Sequence, residues 1–352
     1  MLNKKWLIIS CGDVDGVGYE LTLKLLCSSY NYLTYQFNPL VVGSLEYLRY
    51  VSYKYKFKFF PFKVNLDILS SMELFNIAEC HCLVMDILPQ IKLQKIKNYV
   101  GKISFLSLEV MCEVIRFFLR NKIDFFVFTM PVSKEKINKF YKNFTGHTEY
   151  FSNKFNIDPD NVSMLMEAED NDGNPYRVLL LTRHIPLKEV PKKLNISYIL
   201  NQVKNVVNFI NKWEQKKIKE IVLCNLNPHG GEEGKIGTEE KKILFRAAKL
   251  LEKKLNLKIH PPLQASDAFI YAKNNKECLI VANYHDQAMV PLKLLCGYNI
   301  TNITVGLPFI RVSPGHGPAS DIALKEKVDV SGSVLSLKKL IEFIKNDRFG
   351  FR

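Results

Sequence analysis

Three of the seven histidines share a sequence context that favours a common site. His184, His229 and His285 each come shortly after a short apolar run, the kind of run that predicts a buried strand. The runs are 178–182, 221–224 and 279–284. In open α/β sheets, ligand sites form beyond the carboxyl ends of the strands. Because neutral imidazoles are common ligands of catalytic divalent metals, the sequence predicts one metal site from these three histidines.

Two carboxylates stand next to these histidines in the sequence. Asp286 follows His285 directly, and Glu232 lies in the Asn-Pro-His-Gly-Gly-Glu segment that contains His229. A carboxylate that accepts a hydrogen bond from one imidazole nitrogen orients the other nitrogen toward a metal. Asp286 and Glu232 are therefore candidate orienting residues.

A second group of residues suits a small anion. His147 and Thr148 lie at the start of a predicted helix that Thr148 would cap, and free N–H groups at a helix N-terminus bind phosphate or carboxylate. Lys293, Asn302 and Arg311 add an ammonium, an amide and a guanidinium group, which suit a substrate with several negative charges. The alternative is that Lys293 and Arg311 are ordinary surface charges.

The elements that must position these residues alternate between strands and helices. The predicted strands are 6–10, 39–43, 124–129, 178–182, 220–224 and 278–284, and apolar residues at helical spacing cover 108–119, 243–251 and 337–344. This alternation predicts an α/β fold with a largely parallel sheet. No linker of biased composition separates two halves, so we expect any two lobes to share the chain discontinuously.

Two other segments predict structure without a catalytic role. The glycines of Gly12–Gly18 are spaced GxxxGxG, which indicates a tight strand-to-helix turn and not a dinucleotide fingerprint. Aromatic residues and lysines alternate from Tyr53 to Phe59, which predicts a half-buried strand with lysines on its solvent face.

Composition limits the class of protein. The chain has 352 residues, of which 47% are hydrophobic, and no apolar stretch reaches the roughly 18–20 residues that a membrane span needs. The eight cysteines are scattered, as expected of free thiols in a reducing compartment, so we expect a soluble cytoplasmic protein. The net charge of +14 leaves a nucleic-acid-binding protein as an alternative. Only nine residues are arginine, the side chain best suited to bidentate phosphate and base recognition, and this scarcity weakens that alternative.

Several motifs resemble the 4-hydroxythreonine-4-phosphate dehydrogenase family of pyridoxal phosphate biosynthesis. The resemblance runs over nearly the whole chain and rests on Gly12–Glu20, Pro131–Lys134, Gly146–Glu149, Leu226–Glu232, Tyr284–Gln287 and Asn302–Arg311. It implies a homodimer of two-lobed α/β subunits, similar in fold to isocitrate and isopropylmalate dehydrogenases, with the active site in the cleft between lobes. We expect one lobe at 1–130 plus 312–352 and the other at 131–311.

The resemblance also implies roles for individual residues. The metal ligands of the family fall on His184, His229 and His285, in a site shared between subunits, and its substrate contacts fall on His147, Thr148, Lys293, Asn302 and Arg311. The implied reaction is the NAD-dependent oxidation and decarboxylation of 4-phosphooxy-L-threonine with a divalent metal (Zn, Mg or Co). The residues that contact NAD are not assigned, and no nucleic acid or membrane partner is implied.

This chain departs from the family pattern near the implied site. A carboxylate that is usual near the site is either lost at Ser266 or displaced to Asp267, Gly315 replaces an acidic residue, and Pro318 replaces a threonine. The resemblance therefore leaves open a related dehydrogenase that acts on another phosphorylated hydroxy acid or on a diol.

Overall fold

The structure is a computed structural model that describes residues 4–27, 33, 36–71, 82–87, 97–215, 217–325 and 327–346. These residues form two compact units. The first unit comprises the described residues up to Lys154 together with Phe309–Ile341, and the second comprises Phe155–Pro308 with the described residues from Glu342 onward. The predicted α/β class is confirmed. Among the described residues, no helix has the length and apolar character needed to cross a membrane.

The first unit is built on a parallel sheet. Its strands are β1 (Lys5–Ser10), β2 (Phe37–Gly43), β3 (Pro61–Val64), β4 (Cys82–Asp86), β5 (Phe125–Thr129) and β12 (Ile310–Pro314), in the order β3-β4-β2-β1-β5-β12. Its helices are α1 (Gly18–Cys27), α2 (Leu45–Lys54), α3 (Leu66–Ser71), α4 (Val100–Arg120), α5 (Lys134–Asn138), α6 (His147–Lys154) and α12 (Ser331–Asn346, to Ile341 in this unit). Strand β5 is buried throughout, as its continuous apolar sequence predicts.

The second unit has a mixed sheet. Its strands are β6 (Ser163–Glu169), β7 (Pro175–Leu180), β8 (Glu220–Cys224), β9 (Lys258–Leu263), β10 (Cys278–Ala282) and β11 (Ile300–Val305), in the order β11-β6-β7-β10-β8-β9. Its helices are α7 (Val190–Lys193), α8 (Ile196–Trp213), α9 (Phe245–Leu255), α10 (Ala265–Asn274) and α11 (His285–Cys296). Strand β6 runs antiparallel to both neighbours, whereas β7, β10 and β8 are parallel neighbours. The carboxyl ends of these three strands therefore lie at one edge of the sheet.

The unit boundaries differ from the predicted ones. The first unit extends to Lys154, beyond the predicted limit at residue 130. The reason is that α6 packs on α4, where the hydroxyl of Tyr150 and the ammonium of Lys154 both bind Glu109. Arg311 also belongs to the first unit, because β12 pairs with β5.

The strand predicted from Tyr53 to Phe59 is wrong. Residues Leu45–Lys54 form helix α2, whose N-terminus is capped by Ser44, with the Tyr47 N–H donating to its Oγ at 3.3 Å. Tyr53 is 86% exposed at the end of this helix. The next strand, β3, begins only at Pro61. An N-cap and a helical turn outweigh the local alternation of aromatic residues and lysines.

The tight turn predicted at Gly12–Gly18 is confirmed between β1 and α1. Gly12 has φ +70°, and a Cβ atom built there would lie 2.3 Å from the carbonyl oxygen of Pro131. Only glycine fits this backbone conformation and this close approach. The glycine spacing therefore serves the turn itself.

Candidate active site

Two of the three candidate metal histidines lie close together in the second unit. His184 follows β7 and His285 opens α11 directly after β10, so the two residues extend from adjacent parallel strands. Their ring centroids are 6.2 Å apart, with the ring planes at 38°. A metal–imidazole bond is about 2.0–2.1 Å long, so this spacing leaves room for one ion between the rings.

The third histidine follows β8 on a segment of unusual backbone conformation. His229 lies in the short helical segment Pro228–Gly234, in which residues 229–233 all have positive φ. The left-handed conformation costs a non-glycine residue on the order of 1–2 kcal/mol, so surrounding contacts must hold the segment. Within the described residues, no three His, Cys, Asp or Glu side chains form a group that could hold a metal. The structure thus brings together His184 and His285 but does not complete a three-histidine site within one chain.

The surroundings of His285 fit a metal ligand. Its Nδ1 lies 2.7 Å from Oδ1 of Asp286. This contact leaves Nε2 for an ion, the arrangement by which a carboxylate orients a metal-binding imidazole. Asp286 therefore makes the contact predicted for it. Glu232 does not make such a contact: its side chain is exposed and has no histidine partner among the described residues. Its backbone lies in the left-handed region, with φ +44°.

The first unit contains a buried cation. Arg311 on β12 is 3% exposed, and its Nε and Nη2 donate to Oγ1 of Thr129 at 3.0 and 2.7 Å. Burial lowers the pKa of Arg311 to about 10, while the negative charge of Glu149 acts in the opposite direction. The guanidinium still carries its charge at neutral pH. Arg311 is therefore not the ordinary surface charge that the sequence left as an alternative.

His147 opens helix α6 close to this cation. Its Nε2 is buried and has no hydrogen-bond partner among the described residues. Burial first, and then the positive charge of Arg311, holds the pKa of His147 well below the ordinary value. The ring is therefore neutral at pH 7 and has a nitrogen available to a ligand. Thr148 lies in the first turn and is not the N-cap, because the Tyr150 N–H donates to the carbonyl of Gly146 at 3.0 Å.

The other two candidate substrate residues belong to the second unit. Asn302 on β11 has a buried Oδ1 without a hydrogen-bond partner among the described residues. Lys293 is exposed on α11, eight residues after His285. Its ammonium takes part in no ion pair within the part of the chain that the structure describes. Both groups are available to a ligand from their own unit.

Comparison with known proteins identifies the family. The family model described as "Pyridoxal phosphate biosynthetic protein PdxA" matches residues 35–339. The chain belongs to the PdxA family. A 4-hydroxythreonine-4-phosphate dehydrogenase of Sulfurihydrogenibium sp. is 31% identical over 338 residues, which are 95% of this chain and 97% of that protein. The resemblance found in the motifs is thereby confirmed.

Two further relatives of this PdxA-family chain extend the comparison. The crystal structure of a 4-hydroxythreonine-4-phosphate dehydrogenase from Burkholderia phymatum has a TM-score of 0.69 and 26% identity, covering 97% of this chain and 98% of that one. A protein of Oceanobacillus iheyensis is 29% identical over 348 residues, 97% of this chain and 98% of its own length. Its provisional name is D-threonate 4-phosphate dehydrogenase.

Two of the departures of this PdxA-family chain lie at the surface or serve a turn. Ser266 and its neighbour Asp267 are exposed near the start of α10. The carbonyl of Pro318 accepts a hydrogen bond from the Val17 N–H at 2.9 Å, which secures the turn before α1. Neither departure removes a histidine or a candidate substrate residue.

One carboxylate near the His229 segment was not predicted to act at the site. Glu240 is fully buried, and its Oε1 accepts hydrogen bonds from the N–H groups of Leu226 and Asn227 at 2.9 and 2.7 Å. Asn227 Nδ2 also donates to Glu240 Oε2 at 3.0 Å. Glu240 therefore anchors the segment that leads to His229. In the sequence, Glu240 is recognisable only as a glutamate near a predicted helix start. A glutamate at that place is just as typical of a solvent-exposed first turn, so its anchoring role could not be predicted.

Proposed function

We propose that the chain catalyses the NAD-dependent, divalent-metal-dependent oxidation and decarboxylation of 4-phosphooxy-L-threonine to 3-amino-2-oxopropyl phosphate in pyridoxal 5'-phosphate biosynthesis. The observation that carries the proposal is PdxA family membership, with a named dehydrogenase matched over 95% of the chain. The paired His184 and His285, with Asp286 behind His285, provide support from the chain's own geometry.

The overall reaction has two steps. The C3 hydroxyl loses its proton and C3 loses a hydride to NAD, which gives a ketone. The bond between C2 and the carboxylate then breaks, CO2 leaves, and C2 takes up a proton. A bound divalent ion supplies Lewis acidity, which lowers the pKa of a coordinated hydroxyl and offsets negative charge on oxygen. His184, His229 and His285 would hold that ion.

The remaining residues bind and orient the substrate. Arg311 supplies a fixed positive charge, because its Nε and Nη2 both donate to Oγ1 of Thr129. His147 is neutral, so its Nε2 forms one hydrogen bond with the substrate without adding a charge. Asn302 and Lys293 provide an amide and an ammonium from the second unit. Holding the substrate's anionic groups in this way fixes the reacting carbon and lowers the entropic part of the barrier.

We further propose a homodimer whose subunits share the metal site, in the cytoplasm and without a nucleic-acid partner. Within the described residues of one chain only two candidate histidines are paired, which supports a contribution from a second copy. All seven cysteines that the structure describes are free thiols, as a reducing compartment favours. If the positive charge served nucleic acid instead, DNA would bind at physiological ionic strength with an affinity that falls as salt rises.

One alternative substrate has a specific observation in its favour. The relative from Oceanobacillus iheyensis matches this chain almost as fully and bears the name of a D-threonate 4-phosphate dehydrogenase. That substrate keeps the phosphate and the hydroxy acid but replaces the amine with a hydroxyl. The departures at Ser266, Gly315 and Pro318 make this distinction worth testing.

The deciding experiment measures NADH formation with each of the two phosphorylated substrates. We expect turnover with 4-phosphooxy-L-threonine, loss of that turnover after EDTA treatment, and recovery when Zn²⁺, Mg²⁺ or Co²⁺ is added. Faster turnover of D-threonate 4-phosphate would transfer the assignment to the alternative. Full activity in EDTA would contradict the metal-dependent mechanism.

A further inference from the structure

Two residues with amide side chains, Asn283 and Gln287, join the three segments that carry the candidate metal histidines. His184, His229 and His285 follow three parallel strands, and their positions depend on how the strand ends are held together. Asn283 and Gln287 lie between those ends, on either side of His285. Their hydrogen bonds reach all three segments.

Asn283 connects the ends of β7 and β8 to β10. Its main-chain carbonyl accepts hydrogen bonds from the N–H and the hydroxyl of Thr182, at 3.1 and 2.6 Å, and Thr182 is two residues before His184. Its Nδ2 donates to the carbonyl of Cys224, the last residue of β8, at 2.8 Å. Asn283 is only 1% exposed, so these bonds form away from competing water.

Gln287 adds the connection to the segment of His229. Its Nε2 donates to the carbonyl of Asn225 at 2.8 Å, four residues before His229. Its Oε1 accepts from the backbone N–H and the Nδ2 of Asn283, at 2.7 and 3.2 Å. The donor and acceptor ends of the Gln287 amide are both engaged, so its orientation is fixed.

We propose that Asn283 and Gln287 are positioning residues that hold the segments carrying His184, His229 and His285, and thereby set the affinity of the metal site. We call this pair the amide clamp. The clamp rests on the proposed function in one respect, namely that these histidines bind a metal. Its own hydrogen bonds do not depend on that assignment. A site whose ligand segments are already ordered spends less of its binding energy on ordering them.

The chain offers a matched control elsewhere in the second unit. Gln202 on α8 is fully buried, and its Nε2 donates to the carbonyl of Asp160 at 2.7 Å. Gln202→Glu therefore removes the same kind of bond as Gln287→Glu, but it does so away from the histidine segments. A general loss of packing would affect both variants alike.

The first test measures hydrogen–deuterium exchange without metal. Gln287→Glu keeps an acceptor for Asn283 but loses the donor to the carbonyl of Asn225. We expect faster exchange in residues 225–232 and 182–185 of this variant, and no change there in Gln202→Glu. Gln287→Ala provides a second variant that introduces no charge. Unchanged exchange in both Gln287 variants would overturn the clamp whatever the enzyme's substrate.

The second test is calorimetric titration of the full chain with ZnCl₂ and with CoCl₂. We expect about 10- to 100-fold weaker binding for Gln287→Glu and for Asn283→Asp, with wild-type affinity in Gln202→Glu. The double variant should lose less than the product of the two single losses, because both residues act through one network. Equal affinity in all variants would refute the clamp's effect on the metal site. If even the wild type binds neither ion, the proposed function fails, and altered exchange then shows a clamp of the strand ends alone.

Discussion

Burial has opposite consequences for two neighbouring side chains in the first unit. Arg311 starts from so high a pKa that burial lowers it only to about 10, and the guanidinium remains charged. His147 starts near neutrality, so burial and the charge of Arg311 leave its ring neutral. The pair therefore presents one cation and one neutral hydrogen-bonding ring to a ligand. Sequence alone could name both residues but could not assign their charges, which depend on burial.

The neutral state of His147 predicts a pH-dependent loss of stability. Because its pKa is lowered in the folded protein, the unfolded chain binds more protons than the folded protein at and below about pH 6.5. The stabilising contribution is present above that pH and is lost as the pH falls. Between about pH 7.5 and 5.5, the free energy of unfolding should fall by on the order of 1 kcal/mol more in the wild type than in His147→Gln.

Urea unfolding of the two proteins at several pH values measures this difference. His260→Gln provides a control, because His260 lies on β9 of the second unit, where its ring contacts Glu220 at 2.8 Å. Parallel pH profiles for the wild type and His147→Gln would show that His147 is not neutral in the folded protein.

Asp286 provides a prediction for the metal site. Asp286→Asn replaces the carboxylate beside His285 Nδ1 with a weaker acceptor, so the imidazole should become a poorer ligand. We expect the affinity for Zn²⁺ to fall by about 10- to 100-fold, with little change in the melting temperature, since Asp286 is exposed. The exposed Asp267 gives the matched control Asp267→Asn. Equal Zn²⁺ affinity in the two variants would contradict an orienting role for Asp286.

At the scale of elements, continuous apolar runs predicted six strands, namely β1, β2, β5, β7, β8 and β10. The strand ends predicted the approach of His184 to His285, but the structure does not bring His229 to them within one chain. Local alternation failed at 53–59, where the Ser44 cap and the helix it starts prevail. The left-handed backbone around His229 was also not predictable, because His, Glu and Glu at 229, 232 and 233 rarely adopt positive φ. Long-range contacts such as those of Glu240 hold that segment, and they leave no periodic signal in the sequence.

The turn between β1 and α1 gives a prediction for an element. In Gly12→Ala the new methyl group would meet the carbonyl of Pro131 at 2.3 Å in a backbone with φ +70°. We expect this change to lower the free energy of unfolding by at least about 2 kcal/mol. Gly317 has open space around its Cβ position, so Gly317→Ala should stay within about 0.5 kcal/mol of wild type. Chemical denaturation of both variants measures this, and equal stabilities would show that the turn tolerates a side chain.

At the scale of the whole molecule, the candidate chemistry is divided between the two units. His147, Thr148 and Arg311 belong to the first unit, whereas the three histidines, Lys293 and Asn302 belong to the second. The metal ligands are divided again if a second copy supplies His229, since only His184 and His285 are paired in one chain. The cleft between lobes and the metal site shared between subunits remain predictions.

Mixing two inactive variants tests whether the subunits share the metal site. We expect His229→Ala and His285→Ala each to lack turnover and bound metal as pure proteins. In a mixed dimer, the His229→Ala chain keeps His184 and His285, and its partner supplies an intact His229, so one of the two sites is complete. If chains exchange at random, about a quarter of wild-type activity and metal content should return, since half of the dimers are mixed and each has one good site.

The control mixes His184→Ala with His285→Ala. These two residues lie on the same chain with ring centroids 6.2 Å apart, so no arrangement of the two variants in a dimer rebuilds the pair. Restored activity in this control would mean that His184 and His285 come from different subunits. No restoration in either mixture, with subunit exchange confirmed by mass spectrometry of differently tagged chains, would place all three histidines of a site on one chain. That outcome would require the His229 segment to move toward His184 and His285 when metal binds. In the described residues as they stand, no three side chains form a group that could hold a metal.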